Sequence, residues 1–321
     1  MTTPTPRIDA LFTQTKLVCF GRYTLRVPLE AQLNWGSQII YEGFITHPNA
    51  AERAKEIINQ HWAKVRFADD SAELIEVRSG PTPGGICLWY YKSDMSKERD
   101  TRDFFGVTIA NGHAFTYKGM ALKGKASSDF VITTELIRNL RYRDPDEIPT
   151  EPGVCIQLGF VKENTYRFQE DFAAGIYLPS LPDVSFSVSS NTGANTVGLG
   201  AKGLLHSMQE QRGILGSLYP QFTSFREGKK TIGLWNGEEV LSRRKDGTHE
   251  FDWGAISAER SVAQPGRLRV KLYSKVEQNR IGAATQASVS DAEAIALWDK
   301  LLGSLTYRVE VLGGPVQKAA P

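Results

Sequence analysis

Gly198, Gly200 and Gly203 stand at the G-x-G-x-x-G spacing. With that spacing, a strand-to-helix turn brings backbone N–H groups and a helix N-terminus to a pyrophosphate, and Glu227 lies at a plausible separation for a ribose-binding acid. A dinucleotide site needs the glycines directly after the strand, however, and here Thr192 to Val197 intervene. The segments that follow are hairpin-like rather than alternating βαβ, so a loop is the plainer reading. His47, His61, His113, His206 and His249 are isolated, and none belongs to H-E-x-x-H or another ligand spacing, so no metal site is expected. There is no G-x-S-x-G elbow. Ser242 and Lys245 match S-x-x-K, but their stretch reads as strand and turn, where the lysine is not one helical turn from the serine. Glu238 and Glu239 are adjacent on a strand and point to opposite faces, which is wrong for shared acid–base work. The sequence therefore predicts no catalytic set, no cofactor and no metal.

What remains are residues suited to binding. Trp89-Tyr90-Tyr91, Tyr166-Arg167-Phe168, Trp235 and Trp253 offer the aromatic and cationic groups that anchor protein interfaces, although most strand aromatics are core packing. In the first group Trp89 and Tyr91 share a face and Tyr90 takes the other. The expected contact residues are Asn164, Arg167, Phe168 and Glu170, in a stretch from Lys162 to Asp171 that one half of the chain has and the other lacks. An insertion on a repeated scaffold is where a new function is readily added. The loops at Trp235 and Asn236 and at Arg243 and Arg244 come next.

The elements that must position these residues are laid out twice. Leu136-Ile-Arg-Asn-Leu-Arg-Tyr-Arg143 and Leu301-Leu-Gly-Ser-Leu-Thr-Tyr-Arg308 share the pattern L-[IL]-x-[NS]-L-x-Y-R. Each is preceded by a helical stretch, opened by Ser128/Asp129 or Ser290/Asp291, and by a β-rich run. The period is far too long for a solenoid, so it reads as a duplicated domain. In the first half, strands are expected at Arg22 to Val27 and Gln38 to Phe44, then an amphipathic helix from Asn49 with Ala50, Ala54, Ile57, Ile58 and Trp62 on one stripe. Further strands are expected at Glu73 to Arg78 and Ile86 to Tyr91, then a loop from Ser93 to Arg102. Asn111-Gly112 marks a tight hairpin. In the second half, strands are expected at Val154 to Val161, Gly175 to Leu178 and Asp183 to Ser189, a helix from Leu204 to Leu218, and a strand-rich run from Phe222 to Tyr273 with turns at Trp235-Asn-Gly237 and Lys245-Asp-Gly247.

The expected class is α+β: two tandem duplicated α/β domains, each a mainly antiparallel sheet with two packed helices. The expected spans are a tail at 1–16, domains at 17–145 and 154–311, a linker at 146–153 whose prolines block helix and central strand, and a tail at 312–321. The length of 321 residues and 41% hydrophobic content suit two globular cores. A net charge of +2 with mixed signs gives too weak a field for nucleic acid. No apolar run approaches a membrane span, and the N-terminus shows no export signal. Cys19, Cys87 and Cys155 are too few for a disulfide scaffold. One bridge or three buried thiols remain equal alternatives.

Val18-Cys-Phe-Gly-Arg-Tyr-Thr-Leu-Arg-Val-Pro28, Gly153-Val-Cys-Ile-Gln-Leu-Gly-Phe160 and the two Leu-x-Tyr-Arg closures resemble the immunity proteins that neutralise Tle4-type phospholipase effectors of type VI secretion. The resemblance spans about residues 17 to 310. It implies a two-domain protein that grips its cognate lipase like a two-jawed claw in a one-to-one complex, acts in the periplasm and has no enzymatic activity. The alternative is a periplasmic ligand-binding protein or enzyme using an interdomain cleft and the loop 198–203.

Overall fold

The computed structural model describes residues 4–41, 43–122, 126–164, 169–193, 202–257, 265–275 and 286–309, with backbone alone at 126–129. The elements in chain order are α1 (Pro6–Leu11), β1 (Thr15–Phe20), β2 (Tyr23–Pro28), β3 (Gln32–Ile40), β4 (Phe44–His47), α2 (Ala54–Ala68), β5 (Glu73–Ser79) and β6 (Ile86–Tyr91). Then come α3 (Asp94–Glu98), β7 (Arg102–Ala110), β8 (His113–Ala121), α4 (Ala126–Arg138), β9 (Leu140–Tyr142), β10 (Gly153–Ile156) and β11 (Gly159–Lys162). The remainder is β12 (Glu170–Tyr177), β13 (Val184–Asn191), α5 (Leu204–Leu215), β14 (Phe222–Ile232), β15 (Trp235–Arg244), β16 (His249–Ile256), β17 (Arg267–Ser274), α6 (Asp291–Gly303) and β18 (Thr306–Tyr307). The class is α+β with antiparallel sheets. The chain forms two compact units, one of residues 38–164 and one of residues 1–37 with 165–321, which are not the spans expected from sequence.

In the unit 38–164, a five-stranded sheet has the order β4-β8-β7-β6-β5. The 3.6-residue stripe of α2 buries Ala54, Ile57 and Ile58 against Leu88, Tyr90 and Val107. On the opposite sheet face Phe130 of α4 meets Trp89, ring centroids 4.9 Å apart. Both faces of β6 are thus covered, and Trp89 and Tyr90 are core rather than contact surface, with Tyr91 part-buried at the end of the strand. Asn111 and Gly112 both take positive φ, 46° and 78°, and close the β7–β8 hairpin as their types predict. A second sheet has the order β10-β11-β9. Cys155 in β10 is disulfide-bonded, whereas Cys87 is free and buried.

The segment expected to be a linker is held in place within this unit. The Arg141 guanidinium reaches Glu147 at 2.6 Å and Glu151 at 3.1 Å. Arg143, only 1% exposed, donates to the carbonyls of Asp144, Pro145 and Glu147 at 2.9–3.2 Å. Prolines have no N–H to offer these carbonyls, so Arg143 satisfies them, while Arg141 holds the carboxylates of Glu147 and Glu151.

In the unit 1–37 with 165–321, the large sheet has the order β14-β15-β16-β17-β13-β12-β3. Alternation along β16 and β17 turns Phe251, Trp253, Val270 and Leu272 to one side, where Trp298, Leu297 and Leu301 of α6 complete the core. α6 opens on a capping box between Ser290 and Glu293. Chain residues 6–11, expected as tail, form α1 instead: Ile8 is fully buried in this core, and Lys300 meets Asp9 at 3.0 Å. A small sheet has the order β1-β2-β18, and Cys19 in β1 is disulfide-bonded.

Four further expectations shift. The strand placed at Gln38 to Phe44 is divided between β3 and β4. The loop after Ser93 contains α3, which has its own capping box through Ser96. α4 begins at Ala126, before Ser128. The β14–β15 turn lies at Gly233-Leu234, since Ile232 already pairs with Trp235 and Gly233 carries φ 53°. The tail 312–321 lies outside the described residues.

Candidate partner-binding surface

The seven-stranded sheet has one face given to α6 and one that is polar. Glu238 and Glu239 on β15 separate accordingly. Glu239, 3% exposed, lies on the α6 side and accepts from Trp298 Nε1 at 2.8 Å and Lys230 Nζ at 2.9 Å. Asp299 joins Arg226 at 2.6 Å and Lys230 at 2.8 Å. Burial would raise its pKa, but the hydrogen bonds from both cations outweigh that and hold it below the usual carboxylate range. This network fixes α6 to the sheet.

Glu238 points the other way. Its Oε2 accepts from the backbone N–H of Leu205 at 2.9 Å, in the first turn of α5, and a Cβ at Gly203 would meet that carboxylate at 2.4 Å. The helix N-terminus that the G-x-G-x-x-G spacing would offer to a pyrophosphate already holds an anion. Gly198 and Gly200 lie outside the described residues. Glu227, the acid proposed for a ribose, instead accepts from Arg212 at 3.0 Å and Ser224 Oγ at 2.9 Å.

Beyond Glu238, α5 stands over the polar face and bounds a groove of about 790 Å³. Its helical wall is the stripe Leu204, Ser207, Met208, Gln211, Arg212 and Leu215, spaced i, i+3, i+4, i+7, i+8 and i+11. Its floor carries Val240 of β15, Asp252 of β16 and the row Arg267, Arg269 and Lys271 of β17. Alternate residues of a strand share a face, so these three cations form one line. Arg269 is bound to Asp252, and Arg244 meets Glu250 at 2.5 Å.

The expected contact residues are dispersed. Asn164 is exposed at the end of the unit 38–164, and Arg167 and Phe168 lie outside the described residues. Glu170 is 4% exposed and fully engaged: Arg22 donates to it through Nε at 2.9 and 3.0 Å and through Nη2 at 2.6 Å. Trp235 is core, with its ring 5.8 Å from that of Tyr23. Burial withdraws both from any contact surface. Arg243 Nη1 grips Asp291 at 2.9 and 3.0 Å, at the first turn of α6. Asn236 is exposed in the β15 hairpin, and Arg244 lines the groove. Sequence reasoning passed over the inward stripe of α5 and the β17 row, although the alternation Arg-Leu-Arg-Val-Lys-Leu carries that signal.

Among the described residues no cluster of His, Cys, Asp and Glu is arranged to hold a metal ion, and no helix is long and apolar enough to cross a membrane. An open polar sheet face and a charged groove are the equipment of a protein that binds another. The sequence profile of the Tle cognate immunity protein 4 C-terminal domain matches residues 147–310, a little over half of the chain, and the chain belongs to that family of immunity proteins. Its fold is similar to that of the apo immunity protein TplEi of the type VI secretion system of Pseudomonas aeruginosa, with a TM-score of 0.77 and 24% identity over 94% of this chain and 99% of that one. The same protein bound to an "L" peptide gives a TM-score of 0.72 at 24% identity, covering 92% of this chain and 99% of that one. A chain of the Tle4–Tli4 complex gives 0.75 at 24% identity, covering 92% of this chain and 98% of that one. No curated protein matches the chain.

Proposed function

We propose that this immunity protein binds a cognate Tle4-type phospholipase effector one-to-one and keeps it from the lipids of the producing cell. The family membership carries this reading. It is supported by the likeness to a chain solved in a Tle4–Tli4 complex. The chain acts as an inhibitor without a reaction of its own. In this proposal both compact units supply contacts to one effector molecule, as the two jaws of a claw. The duplication supports that, because two related units give one partner two surfaces, and linked contacts strengthen each other.

The setting proposed is the periplasm. Disulfide-bonded Cys19 and Cys155 suit an oxidising compartment. Alkylation of chain recovered from the periplasm, denatured but unreduced, should label one cysteine, the free Cys87, and all three after reduction. Equal labelling before and after would refute an oxidised state.

The decisive experiment directs the lipase encoded beside this gene to the periplasm, with and without this chain. Growth restored only with the chain, and a stoichiometric complex on gel filtration, are expected. Unrelieved toxicity, with no complex formed, would sink the proposal.

A further inference from the structure

The strand orders β4-β8-β7-β6-β5 and β13-β17-β16-β15-β14 correspond strand for strand, so β5 and β14 are equivalent sheet edges. An edge strand presents a row of unpaired backbone groups, and charged residues, lysine above all, keep other strands from pairing there. β14 carries Arg226, Glu227, Lys229 and Lys230 between Phe225 and Ile232. β5 holds no lysine, and its central run is Leu74-Ile-Glu-Val-Arg78.

Every residue of β5 is exposed, and no described strand pairs with its outer side. α2 packs on β6 and β7. Leu74 and Val77 share the α2 face with their partners Tyr90 and Leu88, yet stay 43% and 55% exposed. On the opposite face Arg78 lies over the rings of Trp89 and Phe130, 4.7 and 4.9 Å from their centroids, and 3.4 Å from Glu76 of its own strand. Stacking holds the guanidinium in place while its side chain remains accessible.

The order of charges along β5 selects the occupant of this edge. Two copies of β5 running antiparallel about a two-fold axis at Val77 set Glu76 of each opposite Arg78 of the other, on one face, and bring the two Val77 side chains together on the other. An axis at Glu76 or at Arg78 would set like charges against each other. At Val77 the ion pair within each strand is exchanged for one across the junction, and no charge is left over. The bulge between Leu74 and Glu76 confines the regular stretch to 76–79, so the contact is short and the association weak.

We propose that β5 is a self-association edge, where a second copy of this chain adds its own β5 antiparallel through Glu76, Val77 and Arg78 and joins two five-stranded sheets into one. The proposal is independent of the effector reading.

Sedimentation velocity on the full chain, up to about 500 μM, tests it. Wild type should shift from monomer to dimer as concentration rises. Val77→Lys, which sets two ammonium groups face to face, and Glu76→Arg, which sets arginine against arginine, should each weaken the dimer at least tenfold. Joining Arg78→Glu to Glu76→Arg reverses the whole pattern and should restore it. Unchanged melting temperatures would separate these effects from misfolding. A wild type that stays monomeric would overturn the proposal, and so would a dimer that all variants leave within twofold of wild type. Single-variant losses that the double variant does not recover, at an unchanged melt, would overturn the pairing about Val77. A monomeric wild type whose binding to the lipase encoded beside its gene is weakened by Val77→Lys would make the occupant a segment of that lipase, and would likewise overturn the assignment.

Discussion

At the scale of the residue, the charged groups divide between those consumed by the fold and those left on a face. Arg22 and Glu170 are consumed. Their side chains are 3% and 5% exposed and joined in a fork, and losing one partner strands the other charge in a core. Glu170→Ala should cost about 3–5 kcal/mol in chemical denaturation, while replacing both residues by methionine should recover most of it. A single substitution that costs under about 1 kcal/mol would show that the pair is not buried in solution.

His61 gives a pH signature. Burial first, then Lys118 and Lys64, lowers its pKa to about 4. The ring stacks on Phe105 with centroids 3.8 Å apart and pairs with the Tyr90 hydroxyl at 2.9 Å. Between its unfolded pKa of about 6.5 and the folded value, the unfolded chain binds the extra proton. Stability should therefore be constant above that window and fall by about 1–2 kcal/mol on acidification through it, since the half-buried ring is partly solvated. Denaturant titrations of wild type and His61→Phe at pH 7.5 and 4.5 measure this. The variant should lose less than wild type, and equal losses would refute it.

At the scale of the element, local rules account for much of what formed. Ser290 was legible as a helix start because its hydroxyl and Glu293 satisfy each other's backbone donors within four residues. Ser290→Ala should cost about 1 kcal/mol and lower the melting temperature by several degrees. An unchanged melt would mean that α6 is held by Trp298 and its neighbours alone. α3 escaped notice because its capping box uses serine at both positions, a pair equally at home in a turn. α1 escaped because its anchors lie far along the chain: Arg7 donates to the carbonyl of Ser288 at 2.7 Å. The Trp235 turn was misplaced because Asn236-Gly237 mimics a hairpin dipeptide. The turn falls at Gly233 instead, and Gly237 lies under the Trp253 ring, where a Cβ would come within 2.5 Å of it.

At the scale of the whole molecule, the two small sheets are one motif built twice. Cys19 and Cys155 each precede by one residue the last pair before a two-residue turn, Phe20 with Tyr23 and Ile156 with Gly159. Tyr307 pairs with Tyr23, and Tyr142 with Gly159. The next arginine N–H then bonds the carbonyl of Arg22 at 2.9 Å or Leu158 at 3.1 Å. In one unit the hairpin follows its closing strand directly. In the other the closing strand is the last in the described chain, and its hairpin comes from the first thirty or so residues. A cut within 146–153 therefore breaks β9 from β10 and β11, and separates β18 from β2. Fragments 1–152 and 153–321 should each fail to show a cooperative melt by circular dichroism, and mixing them should restore one. A cooperative melt of either fragment alone would refute this exchange.

The residues by themselves determined the α+β class, the duplication, most of the strands, the hairpin at Asn111-Gly112, the capped start of α6 and the resemblance to immunity proteins. All of these rest on side-chain types and spacings within a few turns of chain. Tertiary structure decided which hairpin completes which unit, because the two hairpins match in pattern and the selection is made by pairing across some 280 positions. It also decided that Glu170 and Trp235 are interior, that the Pro-rich segment is clamped, and that α5 stands away from its sheet. Exposure depends on what packs above a residue, and the alternation along a strand says only which face it shares.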